Sequence, residues 1–278
     1  MGNTLAVLMT CHNRKEKTLA CLKSLYANTQ CHFDVFLVDD GSTDQTSIAV
    51  KDKFPEVNII LGNGHLYWNG GMRLAWLKAS EYKNYDFYLW LNDDVVLYTD
   101  AISHMFKCYL ETKEHYNKAS IIVGTFSSSN TNKEFSYGGR NENTELVPNG
   151  KVQKCKYING NAVLVSKKIF NELGFLSEEY THSIGDFDYG LRASLIGIEN
   201  YTTKKYIGVC EPNGIADWQN YKVKFKNRIK NFHSPNGLNY KEYIFFRKKF
   251  WGYQWVFFGI KAYLRMLSPK LYSLIKDK

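Results

Sequence analysis

Within the first hundred residues, four short apolar runs, LAVLM (5–9), VFLV (35–38), VNIIL (57–61) and FYLWL (87–91), each run into a polar cluster, two of them acidic. The runs have the length and the β-branched or aromatic content of buried strands. Between them the spacing turns helical. Leu19, Leu22, Leu25 and Tyr26 fall on one face, Ser42 or Thr43 can cap a helix that runs to Lys53, and Met72, Ala75, Trp76 and Ala79 repeat i, i+3, i+4, i+7. Strand alternating with helix means an open, largely parallel α/β sheet covered on both faces. Such sheets bind ligands beyond the carboxyl ends of their strands. There the sequence places Thr10-Cys-His-Asn-Arg14, Asp39-Asp40-Gly-Ser-Thr-Asp44, Gly62-Asn-Gly-His-Leu-Tyr-Trp-Asn-Gly-Gly71 and Asn92-Asp93-Asp94. Four consecutive strand ends converge on one rim.

After residue 100 the pattern loosens. A helix is expected over 99–113 and a strand at SIIVGT (120–125), then a polar stretch, 127–151, that reads as a hairpin or mobile loop. A strand is expected at KYINGNAVLV (156–165), followed by a short helix capped near Ser166 and by the segment His182 to Ala193. There is no internal repeat.

A formal net charge of +9 suggests a nucleic-acid partner until its distribution is read. Residues 220–278 hold fourteen Lys and Arg against two acids, Glu242 and Asp277, a balance of +12; residues 1–219 carry 22 basic against 25 acidic side chains, or −3. A mildly acidic body with a basic, aromatic-rich end suits an anionic lipid surface better than a duplex, so no nucleic acid is expected. Cys11, Cys21, Cys31, Cys108, Cys155 and Cys210 show no CxxC or other short ligand spacing and read as reduced thiols, which removes zinc and disulfides. No apolar run reaches the eighteen or so residues of a spanning helix, and the opening MGNTLAVLMTCHNRK lacks the features of a secretory leader. The cytoplasm is the expected compartment.

Two carboxylates directly after an apolar strand, as at Asp93 and Asp94, are costly unless solvated or paired with a cation. Hard oxygen donors there suit Mn²⁺ or Mg²⁺ shared with phosphate oxygens. The plainer alternative is a polar corner with no metal. Asp39 and Asp40 would accept hydrogen bonds from a base or a ribose, although Asp-Gly-Ser is also a common turn and cap. The glycine-rich stretch 62–71 lets backbone approach a ligand and leads into a helix whose amino end favours anions. Arg73 could add a charge-assisted bond to phosphate, though a surface arginine is the commoner role.

TCHNR, VDDGSTD, NGGMR, LNDD and GDFDYGLR, in that order over roughly residues 4–210, resemble the motif series of inverting family 2 glycosyltransferases of the GT-A fold, in particular bacterial rhamnosyltransferase-like enzymes of surface polysaccharide synthesis. The resemblance implies a Rossmann-like, mostly parallel sheet with a C-terminal amphipathic helical extension. Residues 1–100 would be the nucleotide-sugar half, 101–237 the acceptor-binding and catalytic half, and 238–278 a basic aromatic helical tail. Thr10, Asn13, Asp39, Asp40, Gly71 and Arg73 would line the donor pocket, with Asp93 nearer the ribose and Asp94 the direct ligand to the cation on the diphosphate. Asp186 would be the general base. The donor would be a nucleoside-diphosphate sugar, UDP- or dTDP-linked. The sequence departs from the pattern twice: Asn92 stands where many relatives have aspartate, and Gly185 where many have glutamate.

Asp186 would remove the proton of an acceptor hydroxyl as that oxygen attacks the anomeric carbon, and the departing diphosphate would be stabilised by the cation. Asp186 and Asp188 also suit the amino end of a helix on purely structural grounds. Trp68, Asn159, Asn161, His182 and Asp188 are candidate contacts to a glycan or lipid-linked acceptor, with core packing or loop structure the competing role for each. The Trp218–His233 stretch, with Arg228, could form a loop over the diphosphate. In the tail, Arg247, Lys248, Lys249, Lys261 and Arg265 interleave with Trp251, Trp255, Phe257, Phe258 and Leu264, as in an amphipathic helix lying on a membrane; packing on the domain, or on a second subunit as a homodimer, is the alternative. Against catalysis stands a non-catalytic nucleotide-binding or membrane-docked interaction module, which the departures at Asn92 and Gly185 keep open.

Overall fold

The computed structural model describes residues 3–131, 134–142 and 144–276. They form two compact units, one of residues 1–177 with 185–212 and the other of 178–184 with 213–278. Residues 132, 133 and 143 of the polar stretch, and 277 and 278 of the tail, lie outside the described residues.

The expected alternation opens the first unit as β1 (Leu5–Cys11), α1 (Lys15–Tyr26), β2 (Phe33–Asp39), α2 (Thr46–Lys53), β3 (Asn58–Leu61), α3 (Tyr67–Tyr82) and β4 (Phe87–Leu91). It continues with β5 (Val96–Leu97), α4 (Ala101–Tyr116), β6 (Ser120–Ser127), β7 (Phe135–Tyr137), β8 (Arg140–Asn141), β9 (Thr144–Glu145), β10 (Lys154–Cys155), β11 (Ala162–Ser166), α5 (Lys167–Leu173), α6 (Gly185–Leu195) and β12 (Glu199–Val209). One sheet runs β10-β12-β6-β11-β4-β1-β2-β3, with β5 on β12 and β7 on β6; β8 and β9 make a separate ribbon. β3, β2, β1 and β4 are mutually parallel, and β11 enters antiparallel between β4 and β6. The first unit therefore carries the expected α/β architecture through both sequence halves, as far as residue 212.

Every residue of β1 is buried, because helices cover both faces of the sheet. Val7 and Met9 share one core with Leu22 of α1, Val50 of α2 and Met105 of α4. Ala6 and Leu8 share the other with Met72 and Trp76 of α3, Ile169 of α5 and Tyr189 of α6. From β1 the chain winds outward to β2 and β3 and then returns on the other side of β1 as β4. The carboxyl ends of β1 and β4 thus flank a topological switch point, where open α/β sheets leave a crevice.

Two local differences from the expected elements are informative. The helix after the glycine-rich stretch begins at Tyr67, so only 62–66 is loop. Residues 156–161 do not extend β11, because their polar groups turn to one another and to Asp186: Asn159 Oδ1 accepts from the Asn161 N–H at 3.3 Å, and the Gly160 N–H goes to a side chain. Ser166 caps α5 as expected, its hydroxyl accepting from the Ile169 N–H at 3.5 Å.

The second unit holds a 3₁₀ turn (Asp217–Gln219), α7 (Phe225–His233), α8 (Tyr240–Trp251), a second 3₁₀ turn (Gly252–Gln254), α9 (Trp255–Leu267) and α10 (Pro269–Lys276). Trp218, Phe232, Ala262 and Met266 form its core. Glu242 of α8 fastens the 178–184 segment, accepting from the Thr181 N–H at 3.1 Å and the Thr181 hydroxyl at 2.9 Å. Among the described residues, no helix is long and apolar enough to cross a membrane.

Candidate active site

The loops after β1 and β2 are laced together. The Asn13 N–H donates to Ser42 Oγ at 2.9 Å, and Asn13 Oδ1 accepts from the Thr43 N–H at 2.7 Å, a geometry reached with Asn13 at φ 52°. Asp39 Oδ1 accepts from the Ser42 N–H at 2.9 Å, and its other oxygen takes the Ser47 hydroxyl. Asp40 accepts from three amides, Gly64 at 2.8 Å, Leu66 at 2.8 Å and Tyr67 at 2.9 Å. Both aspartates are buried and satisfied. Expected to meet the nucleotide with their side chains, both carboxylates are also anchored by local donors, and Asp40 fixes the path of the 62–67 loop.

Gly71 serves packing as well. It lies inside α3 against β1, and a Cβ there would come within 2.2 Å of Thr10 Oγ1. This close approach seats α3 on the sheet and buries Thr10. Arg73, one helical step further, is half-buried.

The acidic pair sits in the turn after β4 and meets an arginine from the opposite side of the switch point. Arg14 Nη1 donates to Asp94 Oδ2 at 2.8 Å and to Asp93 Oδ1 at 3.3 Å, while Thr18 donates to Asp93 Oδ2 at 3.4 Å. Burial pushes the Asp93 carboxyl up to about 6, against the opposing pull of Arg14. The Asp94 side chain is the more open of the two, 14% exposed against 8%. Among the described residues no three His, Cys, Asp or Glu side chains cluster to hold a cation on their own. A divalent ion that keeps most of its ligands from water and phosphate needs only one or two carboxylates, so the donor set fits such an ion shared with a diphosphate. Arg14 already shows that the turn attracts positive charge.

A second mesh joins this turn to Asp186. Asn92 Oδ1 accepts from Trp68 Nε1 at 2.6 Å, Asn92 Nδ2 donates to Asn161 Oδ1 at 2.6 Å, and the Asn92 N–H donates to the Asn161 carbonyl at 3.0 Å. Next in the chain, the Gly160 N–H donates to Asp186 Oδ2 at 2.9 Å, and the Phe187 N–H donates to Asp186 Oδ1 at 2.8 Å. Trp68 lies against Gly160, where a Cβ would be 2.3 Å from Trp68 Cζ2. Burial raises the Asp186 carboxyl to about 6, opposed by these two amides and by Arg140. A carboxyl near that value is ionised at neutral pH yet basic enough to take a proton.

The mesh accounts for both departures from the family pattern. Asn92 uses its amide in both directions, and an aspartate there could not donate to Asn161. At Gly185 a Cβ would lie 1.8 Å from Asn69 Oδ1, and Asn69 is buried and held by its bond to the Ser177 carbonyl at 2.8 Å. Asn69 fills the space that a side chain at 185 would take. Gly185→Ala is expected to cost about 1–3 kcal/mol through overpacking, and much less in an Asn69→Ala background; chemical denaturation of the four proteins of the cycle measures the coupling. Equal costs in both backgrounds would reject this account.

Asp188, weighed as an acceptor contact, is fully buried and pairs with Arg192 Nε at 2.8 Å; Arg192 also donates to the Leu173 and Phe175 carbonyls at 2.8 and 2.9 Å. Its part is to hold α6. His182 and Arg228 belong to the second unit. The stretch expected to close as a loop over a diphosphate is instead a 3₁₀ turn and α7, because it packs a core of its own around Trp218 and Phe232, and Arg228 donates to the Leu267 carbonyl at 3.4 Å. Sequence reasoning passed over Arg14 and Thr18 as site residues. Their i, i+4 spacing at the start of α1, directly after β1, was the available signal.

The sheet order, with its acidic turn at the switch point, is that of the GT-A fold of nucleotide-sugar glycosyltransferases. The family model for Glycosyl transferase family 2 matches residues 6–174, and the chain belongs to that family. Its fold is similar to that of the mannosyltransferase PcManGT from Pyrobaculum calidifontis, solved with GDP-Man and Mn²⁺, at a TM-score of 0.58 and 12% identity over 94% of this chain and 74% of that one. It is also similar to S. aureus TarS 1–349 solved with UDP-GlcNAc, at a TM-score of 0.54 and 14% identity over 89% and 73% of the two chains. No curated protein sequence matches the chain.

Proposed function

We propose that the protein is an inverting, metal-dependent glycosyltransferase that moves a hexosyl or deoxyhexosyl group from a UDP- or dTDP-linked donor to a hydroxyl of a glycan or lipid-linked acceptor in bacterial surface polysaccharide synthesis. The observation that carries the reading is the mesh Asp93–Asn92–Asn161–Gly160–Asp186, which ties the acid turn to the base across one strand-end layer. The two solved relatives, one holding Mn²⁺ and both holding nucleotide sugars, support the choice of cofactor and donor.

The crevice between β1 and β4 receives the nucleotide, its wall held by Asn13, Asp39 and Asp40, with Thr10 and Gly71 setting the depth at which α3 sits. Arg73 lies on the same helix, within the donor half. Asp94, the more exposed acid, faces the diphosphate, and Asp93 stands deeper, on the ribose side. Asp94 would hold a divalent cation, which when bound would supply Lewis-acid stabilisation to the departing diphosphate. Arg14 balances the two carboxylates before the donor arrives. Asp186 takes the proton of the acceptor hydroxyl as its oxygen bonds to the anomeric carbon; the bond from that carbon to the diphosphate oxygen breaks, the nucleoside diphosphate leaves with the electron pair, and the configuration inverts. Trp68 and Asn159 flank Gly160, whose N–H binds Asp186, and would offer an acceptor sugar an aromatic ring and an amide; Asn161, weighed as a third contact, is buried with its amide bonded to Asn92 and Cys210 and holds the layer behind them. The basic tail would keep the enzyme at the inner face of the cell membrane, close to a lipid-linked acceptor.

The reading as a non-catalytic module drew on Asn92 and Gly185, and both residues now have local structural reasons. A thermal-shift screen against UDP, dTDP, GDP and their sugars tests the proposal. At least one nucleotide is expected to raise the Tm, and to raise it further with Mn²⁺. No shift from any of them, with the ion present, would overturn it.

A further inference from the structure

The second unit contains a feature that composition alone does not reveal. In α9, Val256, Phe257, Ile260, Leu264 and Leu267 are each between 47% and 66% exposed. Their spacing of i, i+1, i+4, i+8 and i+11 places all five on one stripe of the helix. Gly259, Ala262 and Met266, on the opposite side, are buried against the rest of the unit. The helix therefore has one apolar face that builds its core and a second apolar face turned to solvent. Folded domains rarely expose a continuous apolar patch on the order of a few hundred Å² without a partner.

The aromatic and basic residues of the tail separate into two groups. Arg247 is half-buried between aromatic rings: its guanidinium lies 4.1 Å from the Phe258 ring centre and 4.5 Å from that of Trp251, clamping α8 to α9. Trp251 and Phe258 touch each other at 5.8 Å between ring centres. These three, expected from the sequence to face lipid, are used in packing. Lys261, next to the stripe, and Lys248 and Lys249 of α8 remain exposed. From 243 to 276 the chain contains seven Lys and Arg and no Asp or Glu.

We propose that the outer stripe of α9 is a membrane-docking surface, with the helix lying in the plane of an anionic bilayer, its five apolar side chains in the acyl boundary and its one lysine, Lys261, among the headgroups. Charge selects this occupant. A second copy seated on the same stripe would bring two acid-free, cationic tails together, whereas anionic headgroups match them. The inference refines the reading of the tail as membrane-facing and does not depend on the transferase chemistry.

The test is co-sedimentation of the full-length protein with vesicles of phosphatidylcholine alone and of phosphatidylcholine with a third phosphatidylglycerol, together with the variant Ile260→Asp/Leu264→Asp. Both substituted positions face solvent, so the fold should tolerate them, and an unchanged Tm and far-UV circular dichroism spectrum of the protein alone check that. Wild type should bind the anionic vesicles and leave neutral ones in the supernatant, and the double variant should bind at least tenfold more weakly. If wild type binds no vesicles, the membrane reading of the tail itself is overturned. If wild type and variant bind equally, the stripe assignment is overturned and the contact lies elsewhere in the tail. If light scattering shows a dimer that the double variant converts to monomer, the stripe belongs to a second copy and the proposal also fails.

Discussion

Asp186→Asn is expected to lower turnover of the preferred donor by about 10²–10⁴-fold while leaving the nucleotide-induced rise in Tm unchanged. The amide keeps the size of the side chain and can still accept one of the two N–H bonds from Gly160 and Phe187, but it cannot take a proton from the acceptor. The pH dependence provides an independent check. Burial raises the wild-type carboxyl to about 6, so the rate should climb through pH 6 and level off above it as the base ionises; the residual rate of the variant should lack that step. Stability runs the other way. For an acid whose folded value lies above its unfolded one, the favourable contribution is complete below about pH 4 and is lost as pH rises through 6. At pH 7.5 the variant escapes the cost of a desolvated charge, on the order of 1–3 kcal/mol before the loss of one amide bond is set against it, and any gain in Tm should vanish near pH 4. A variant that retained more than about a tenth of the wild-type rate would move the base away from Asp186.

Asp94→Ala should abolish the extra Tm shift that Mn²⁺ adds to a bound nucleotide and should cost at least about 100-fold in rate, roughly 3 kcal/mol of transition-state stabilisation. The expectation rests on position. Asp94 is the outer carboxylate of the turn, and its Oδ2 is the nearer of the two partners of Arg14. The nucleotide shift measured without metal should change far less. An undiminished Mn²⁺ effect in the variant would place the ion elsewhere.

The first four strands and three helices were legible because a sheet buried on both faces requires continuous apolar runs, and helices laid on it require a 3.6-residue stripe. Chain direction then predicts which loops gather at the rim and so draws attention to Asp93 and Asp94; Asp186 stands out only through the resemblance to the glycosyltransferase motif series. What those side chains touch was not legible. Asp39 and Asp40 read as ligand contacts because an acid at a strand end suits a ribose as well as local donors, which here are three amides of the 62–67 loop for Asp40 and the Ser42 N–H and Ser47 hydroxyl for Asp39. Gly71 gave the same ambiguity, since a glycine can face a ligand or a neighbouring threonine. In the tail, interleaved aromatic and basic residues fit either a lipid-facing helix or a packed hairpin. α8 and α9 combine both, with Arg247 clamped between rings and the Val256–Leu267 stripe outside.

The two-way amide at position 92 has a consequence for descent. Its two bonds link three loci, 68, 92 and 161, whose side chains must agree on which atom gives and which receives. Homologues that carry an acid at 92 are therefore expected to keep a donor at 161, either an asparagine turned to present its Nδ2 or another donating side chain. An alignment deep enough to compare the two columns would expose that bookkeeping as a donor at 161 beside each acid at 92, and acids at 92 facing a non-donor at 161 would dissolve it.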